Sequence, residues 1–152
     1  MSNYLNDPLF LRQIIMDHYE YPRNHQLVNE NNENQLHTSS ESCIDDITVE
    51  IKVEDNVIKH TGFDGVACTI ATASTSIMSE LILNKTLNDA IVVIDNYLNM
   101  INEKPYDEDM LEEAIAFKTI YKQANRIKCA TIGINGFKEL IEKEKTIWVK
   151  MM

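Results

Sequence analysis

Near the middle of this chain the spacing of apolar residues switches from a period of two to steps of three and four, and that switch limits what it can fold into. From Asp46 onward, Ile47, Val49, Ile51 and Val53 alternate with Thr48, Glu50 and Lys52, the two-residue period of a strand with one wet face. Asp55-Asn56 supplies a turn, and Val57 to Phe63 returns as a second strand, giving a hairpin that ends near Gly65. A short strand before Cys43 is expected to complete the sheet. From Cys68 onward the apolar residues recur instead at steps of three and four, the period of helices. Strands followed by helices, rather than strands alternating with them, predict an α+β fold: a small antiparallel three-stranded sheet with helices packed on one face.

The helices can be bounded. Asp7-Pro8 reads as a cap followed by proline in the first turn, Leu11, Ile14, Ile15 and His18 or Tyr19 follow in register, and Tyr21-Pro22 stops the run near Glu20. Asn29 to Gln35 has no apolar period and reads as an exposed loop. Ile70, Ala73, Ile77 and Leu81 mark a helix opening at Cys68, with small Ala71, Ser74 and Thr75 permitting close approach. Thr86 to Asp89 resembles a capping box ahead of Ile91, Ile94, Leu98 and Ile101. A short helix is expected after Asp107. The last helix starts around Cys129 and runs to about Glu144, with Gly133 and Gly136 inside it. Each glycine costs roughly 1 kcal/mol against alanine there, which points to close packing.

With 152 residues and 44% hydrophobic content, the chain is read as one domain, 1–152, large enough to fold without a metal. A net charge of -10 opposes binding to nucleic acid or to an anionic membrane surface. No leader-like segment or spanning apolar run is evident, so a cytoplasmic protein is expected. Three cysteines, an odd number, argue for metal or thiol chemistry rather than a disulfide framework.

Those cysteines carry the functional signal. Cys43 and Asp45 lie two apart and can grip one ion from the same side of an extended segment. Cys68 and Cys129 both stand where a helix begins, a position that favours the thiolate. Three thiolates and one carboxylate suit a tetrahedral metal. Arg126 and Lys128 put two cations within three residues of Cys129, where they would balance an anionic site and are out of place for the helix dipole alone. His18, His25, His37 and His60 are scattered and read as structural. The ligand set takes zinc and iron equally well.

Four motifs, in order, carry a resemblance: Leu11 to Tyr19 followed by Pro22-Arg23-Asn24; Cys43-Ile44-Asp45; Gly65-Val66-Ala67-Cys68 with Ala73-Ser74; and Arg126 to Thr131. Together they resemble the U-type iron-sulfur cluster assembly scaffolds, the family of SufU, IscU and the N-terminal domain of NifU. The 61 positions from Cys68 to Cys129 leave room for the extra helical segment of the SufU branch, here about Asn88 to Glu112. Lys128 stands where the IscU branch carries a histidine.

The resemblance implies a SufE/NifU-like scaffold fold and a metal site of Cys43, Asp45, Cys68 and Cys129, holding Zn2+ or a transient iron-sulfur cluster. It implies that Cys43 is the sulfur acceptor, that the donor is a SufS-type pyridoxal-phosphate cysteine desulfurase, and that downstream cluster carriers or apo acceptors receive the product. Arg126 would help dock the partner. Two departures stand out: Ile44 and Ala67 occupy positions where the family usually has glycine, which could tighten the loops at the metal. Two other readings stay open, a zinc-binding module that docks to a desulfurase without carrying sulfur, and a metal-free thiol enzyme.

Overall fold

A computed structural model describes residues 6–39 and 44–151. Helix α1 (Pro8–Glu20) begins where Asp7 Oδ1 accepts the Leu9 N–H at 3.0 Å and proline supplies a residue needing no donor. Three strands follow, β1 (Gln35–Ser39), β2 (Asp46–Glu54) and β3 (Val57–Val66), joined antiparallel in the order β1-β2-β3. Asp55 and Asn56 both adopt positive φ, 53° and 65°, as a tight hairpin turn matched to the strand twist requires. The helical half comprises α2 (Thr69–Leu81), α3 (Leu87–Ile101), α4 (Glu108–Leu111), short 3-10 turns between 112 and 126, and α5 (Ile127–Met151). Thr86 caps α3, its Oγ1 accepting the Asp89 N–H at 3.2 Å. Among the described residues no helix is long and apolar enough to cross a membrane.

The core lies between one face of the sheet and the helices. Ile47, Val49 and Ile51 are buried on that face, and Ile134, Phe137 and Ile141 are buried on α5. Each such side chain contributes about 1.5–3 kcal/mol through removal from water. The two glycines of α5 sit at its closest contacts. A Cβ at Gly133 would overlap the Thr75 side chain of α2, and one at Gly136 would come within 2.8 Å of Val49 Cγ2 on β2. The helix therefore lies on both α2 and the sheet at a separation that a larger residue would not permit.

Three features differ from the sequence reading. α5 continues past Glu144 to Met151, because Glu142, Lys143, Glu144 and Lys145 are good helix formers and nothing after them breaks the run. The segment read as an exposed loop holds a 3-10 turn at Glu30–Asn32, with Asn31 at positive φ, and its last residue, Gln35, already belongs to β1. The outer face of the sheet is also less wet than alternation suggests. Glu50, on that face, is fully buried, and its carboxylate accepts from the Val28 N–H (2.8 Å), the Asn29 N–H (3.1 Å), Gln35 Nε2 (2.8 Å) and His60 Nε2 (2.6 Å). Burial pushes the Glu50 carboxyl up, but these donors outweigh it and hold the group below the ordinary carboxylate value.

Two outcomes test this packing. Gly133→Val should lower stability by about 1–3 kcal/mol, seen as a lower urea midpoint at unchanged slope; an unchanged midpoint would mean the two helices are not in close contact. Because the folded-state value of Glu50 is depressed, its contribution is present at neutral pH and is lost as pH falls below the ordinary carboxylate value and through the lower folded one. Glu50→Gln should therefore cost about 2–3 kcal/mol at pH 7. The gap from the native protein should narrow in acid denaturation series.

Candidate metal centre

Asp45 directly precedes β2, Cys68 is the residue before α2, and Cys129 lies in the first turn of α5. Strand register joins the first two. Val66, near the exit of β3, pairs with Asp46 at the start of β2, so the chain leaving the sheet runs beside the chain entering it. Gly65 makes that approach possible: its φ is +137°, and a Cβ there would overlap the Asp46 carbonyl. The junction is closed by Asp45 Oδ1, which accepts the Cys68 N–H at 2.8 Å.

The third side chain arrives with α5. Ser74 Oγ of α2 lies 3.5 Å from the Cys129 carbonyl, and Tyr97 of α3 donates its hydroxyl to the Ala130 carbonyl at 2.7 Å. Burial pushes the Tyr97 phenol far above its ordinary value, so it stays a protonated donor. As a result the ligating atoms of Asp45, Cys68 and Cys129 all lie within 4.8 Å of one another.

Both sulfurs sit at helix N-termini. Cys68 is the N-cap of α2, and its Sγ accepts the Ala71 N–H at 3.4 Å. The positive end of each helix dipole points at these positions, which suits an anionic ligand atom there. Asp45 is only 2% exposed, and its second oxygen has Cys68 Sγ at 3.8 Å as its contact. A buried carboxylate beside two sulfurs is costly unless a cation balances it. Tetrahedral zinc bonds of about 2.0–2.3 Å separate neighbouring donors by about 3.5–3.8 Å. The observed group reaches that geometry with inward shifts of at most about 1 Å, so these residues fit a thiolate-bound zinc or iron.

Of the residues singled out in the sequence, Asp45, Cys68 and Cys129 come together, and Cys43 lies outside the described residues. Arg126 and Lys128 are exposed at the start of α5. Ile44 is 71% exposed, so its side chain takes no room in the site, and Ala67 is half-buried. None of the four histidines joins the sulfur group: His60 binds Glu50, His37 binds Asp46, His25 faces Asp64, and His18 is buried against Ser76. Sequence reasoning did not find the positioning role of Tyr97, whose only signal was a phenol on an otherwise apolar helix face.

Comparison with known proteins agrees with this geometry. The family described as NifU-like N terminal domain matches residues 11–130. The zinc-dependent sulfurtransferase SufU of Bacillus subtilis is 30% identical over 146 residues, covering 95% of this chain and 98% of that protein. The iron-sulfur cluster assembly scaffold protein IscU of Streptococcus pyogenes is 30% identical over 132 residues, covering 86% and 81%. Among solved structures, a candidate iron-sulfur cluster assembly scaffold for the SUF system from Fervidobacterium islandicum superposes with a TM-score of 0.80 at 28% identity, covering 85% of this chain and 94% of that one. The N-terminal NifU-like protein of Brucella abortus, at 18% identity and a TM-score of 0.75, covers 86% and 93% and shares the fold. With three separated motifs meeting at one point on the fold these proteins share, the chain belongs to the NifU-like N-terminal domain family.

Proposed function

We propose that this protein is an iron-sulfur cluster assembly protein that accepts sulfur at a Cys3Asp site made of Cys43, Asp45, Cys68 and Cys129. The single observation that carries the reading is the convergence of Asp45, Cys68 and Cys129 within 4.8 Å. Covalent geometry supports the fourth ligand, since two residues of chain can carry Cys43 no further than about 7 Å from Asp45. The similarity to a protein named a zinc-dependent sulfurtransferase supports zinc as the resident ion. The similarity to proteins named as cluster scaffolds supports an iron-sulfur cluster as cargo.

Zinc would supply the positive charge that balances its thiolate ligands and keeps them capped until use. The chain's own groups do the rest. Asp45 holds the Cys68 backbone and offers an oxygen, while the starts of the two helices hold Cys68 and Cys129 in place as ligands. Cys43 then acts as the exchanging ligand. Its thiolate attacks the outer sulfur of a persulfide on a partner cysteine desulfurase of the SufS type. The partner's S–S bond breaks, its cysteine leaves as thiolate, and the outer sulfur stays on Cys43 with no net oxidation. Exposed Ile44 and Val66 flank the ligands and offer an apolar rim for that partner, with Arg126 as a cationic contact. Cluster carriers or apo acceptors would take the product onward.

The experiment is desulfurase stimulation by Cys43→Ala beside the native protein, with persulfide labelling read by mass spectrometry. The expected result is loss of stimulation and of the label. Full stimulation by the variant would remove the acceptor role. A bare thiol on native Cys43 would favour a docking module that carries no sulfur. Separately, Cys68→Ser and Cys129→Ser should each weaken zinc binding by more than the roughly ten- to hundredfold typical of losing an outer hydrogen-bond partner, measured by competition with a chelator.

A further inference from the structure

A second group of metal-ligating side chains lies at the other end of α2. His18 of α1, Glu80 of α2 and Glu113, in the 3-10 turn after α4, bring their ligating atoms within 4.8 Å of one another. Twelve residues of helix separate Glu80 from Cys68, about 18 Å along the axis, so this cluster is distinct from the sulfur site. It borders a cavity of about 260 Å3 lined by Ile77, Glu80, Leu81, Glu112 and Glu113.

The buried histidine is the feature that points to a ligand. His18 has no exposed surface, and its Nδ1 is 2.8 Å from Ser76 Oγ. Its Nε2 is buried with no hydrogen-bond partner, although Glu113 Oε2 stands 3.4 Å away. A buried ring nitrogen facing two carboxylates without bonding to either is a costly arrangement unless something bridges them. The carboxylates carry excess charge as well. Glu80, Glu112 and Glu113 surround the cavity, and the nearby cation, Arg23, lies 3.9 Å from Glu80 while its guanidinium is engaged at 2.6 Å with Asp17.

We propose that His18, Glu80 and Glu113 form a second, sulfur-free site for a first-row divalent cation. One imidazole nitrogen and two carboxylates are a donor set suited to Mn2+ or Fe2+, whereas thiolates select zinc. With Nε2 ligating, Nδ1–H donates to Ser76 Oγ, which also accepts the Arg23 N–H at 2.8 Å; the hydroxyl oxygen so fixes the ring orientation. Glu112, at φ 47° and ψ -123°, turns the chain sharply just before Glu113.

Manganese separates this site from the thiolate site, since it favours carboxylate and imidazole over sulfur. Full-length protein with its cysteine site filled by zinc is titrated with Mn2+, and the free ion is followed by electron paramagnetic resonance. Glu80→Gln and Glu113→Gln alter side chains that are 47% and 53% exposed, so the fold is retained. The expected result is one Mn2+ bound per chain, with affinity at least tenfold weaker in each variant and zinc content unchanged. Absence of Mn2+ binding by the native protein, or equal binding by both variants, would overturn the proposal.

Discussion

Two missing Cβ atoms on α5 set the distances on which the rest of the molecule depends. At Gly133 the helix touches Thr75 of α2, and at Gly136 it touches Val49 of β2. One rigid rod is thereby held against both other elements that carry a ligand, and its first turn brings Cys129 to Cys68 and Asp45. The cost in helix propensity, about 1 kcal/mol per glycine, is small beside the burial gained by the apolar face that follows. A larger residue at either point would lift the helix and separate the sulfurs, so core packing and metal geometry are here the same constraint.

The chemistry follows from where the ligands sit on their elements. Two cysteines stand at helix starts, where the positive end of a dipole suits a bound anion or metal ligand, and Cys68 Sγ also accepts the Ala71 N–H. The carboxylate does two things at once: one oxygen binds the Cys68 N–H and the other faces the sulfurs. Asp45, Cys68 and Cys129 are thus held by backbone contacts or buried structure. An exchanging cysteine two positions before Asp45 fits the division of labour proposed here, in which three donors hold the ion and one leaves.

Much of this was legible in the sequence, for identifiable reasons. Alternation from Ile47 to Val53 fixed the strand and its inward face, and Asp7-Pro8 and Thr86-Asp89 marked helix starts through chemistry local to a few residues. The cysteines could be grouped because few residue types share their donor properties. Glu50 was not legible. It sits in an exposed-looking position of the alternation, and the groups that bury it come from Val28, Asn29, Gln35 and His60, beyond the reach of any periodic pattern. His18 was read as structural; it is buried, and its meeting with Glu80 and Glu113 was not legible because it depends on three elements packing together. The extension of α5 to Met151 was missed because the apolar stripe fades before the helix does.

The central claim is that one ion is held by three sulfurs and one oxygen drawn from remote parts of the chain. X-ray absorption at the zinc edge of the loaded native protein tests it most directly. The account predicts a coordination shell of three sulfur atoms at about 2.3 Å and one oxygen at about 2.0–2.2 Å. A shell of nitrogen and oxygen alone, or one with fewer than two sulfurs, would contradict it.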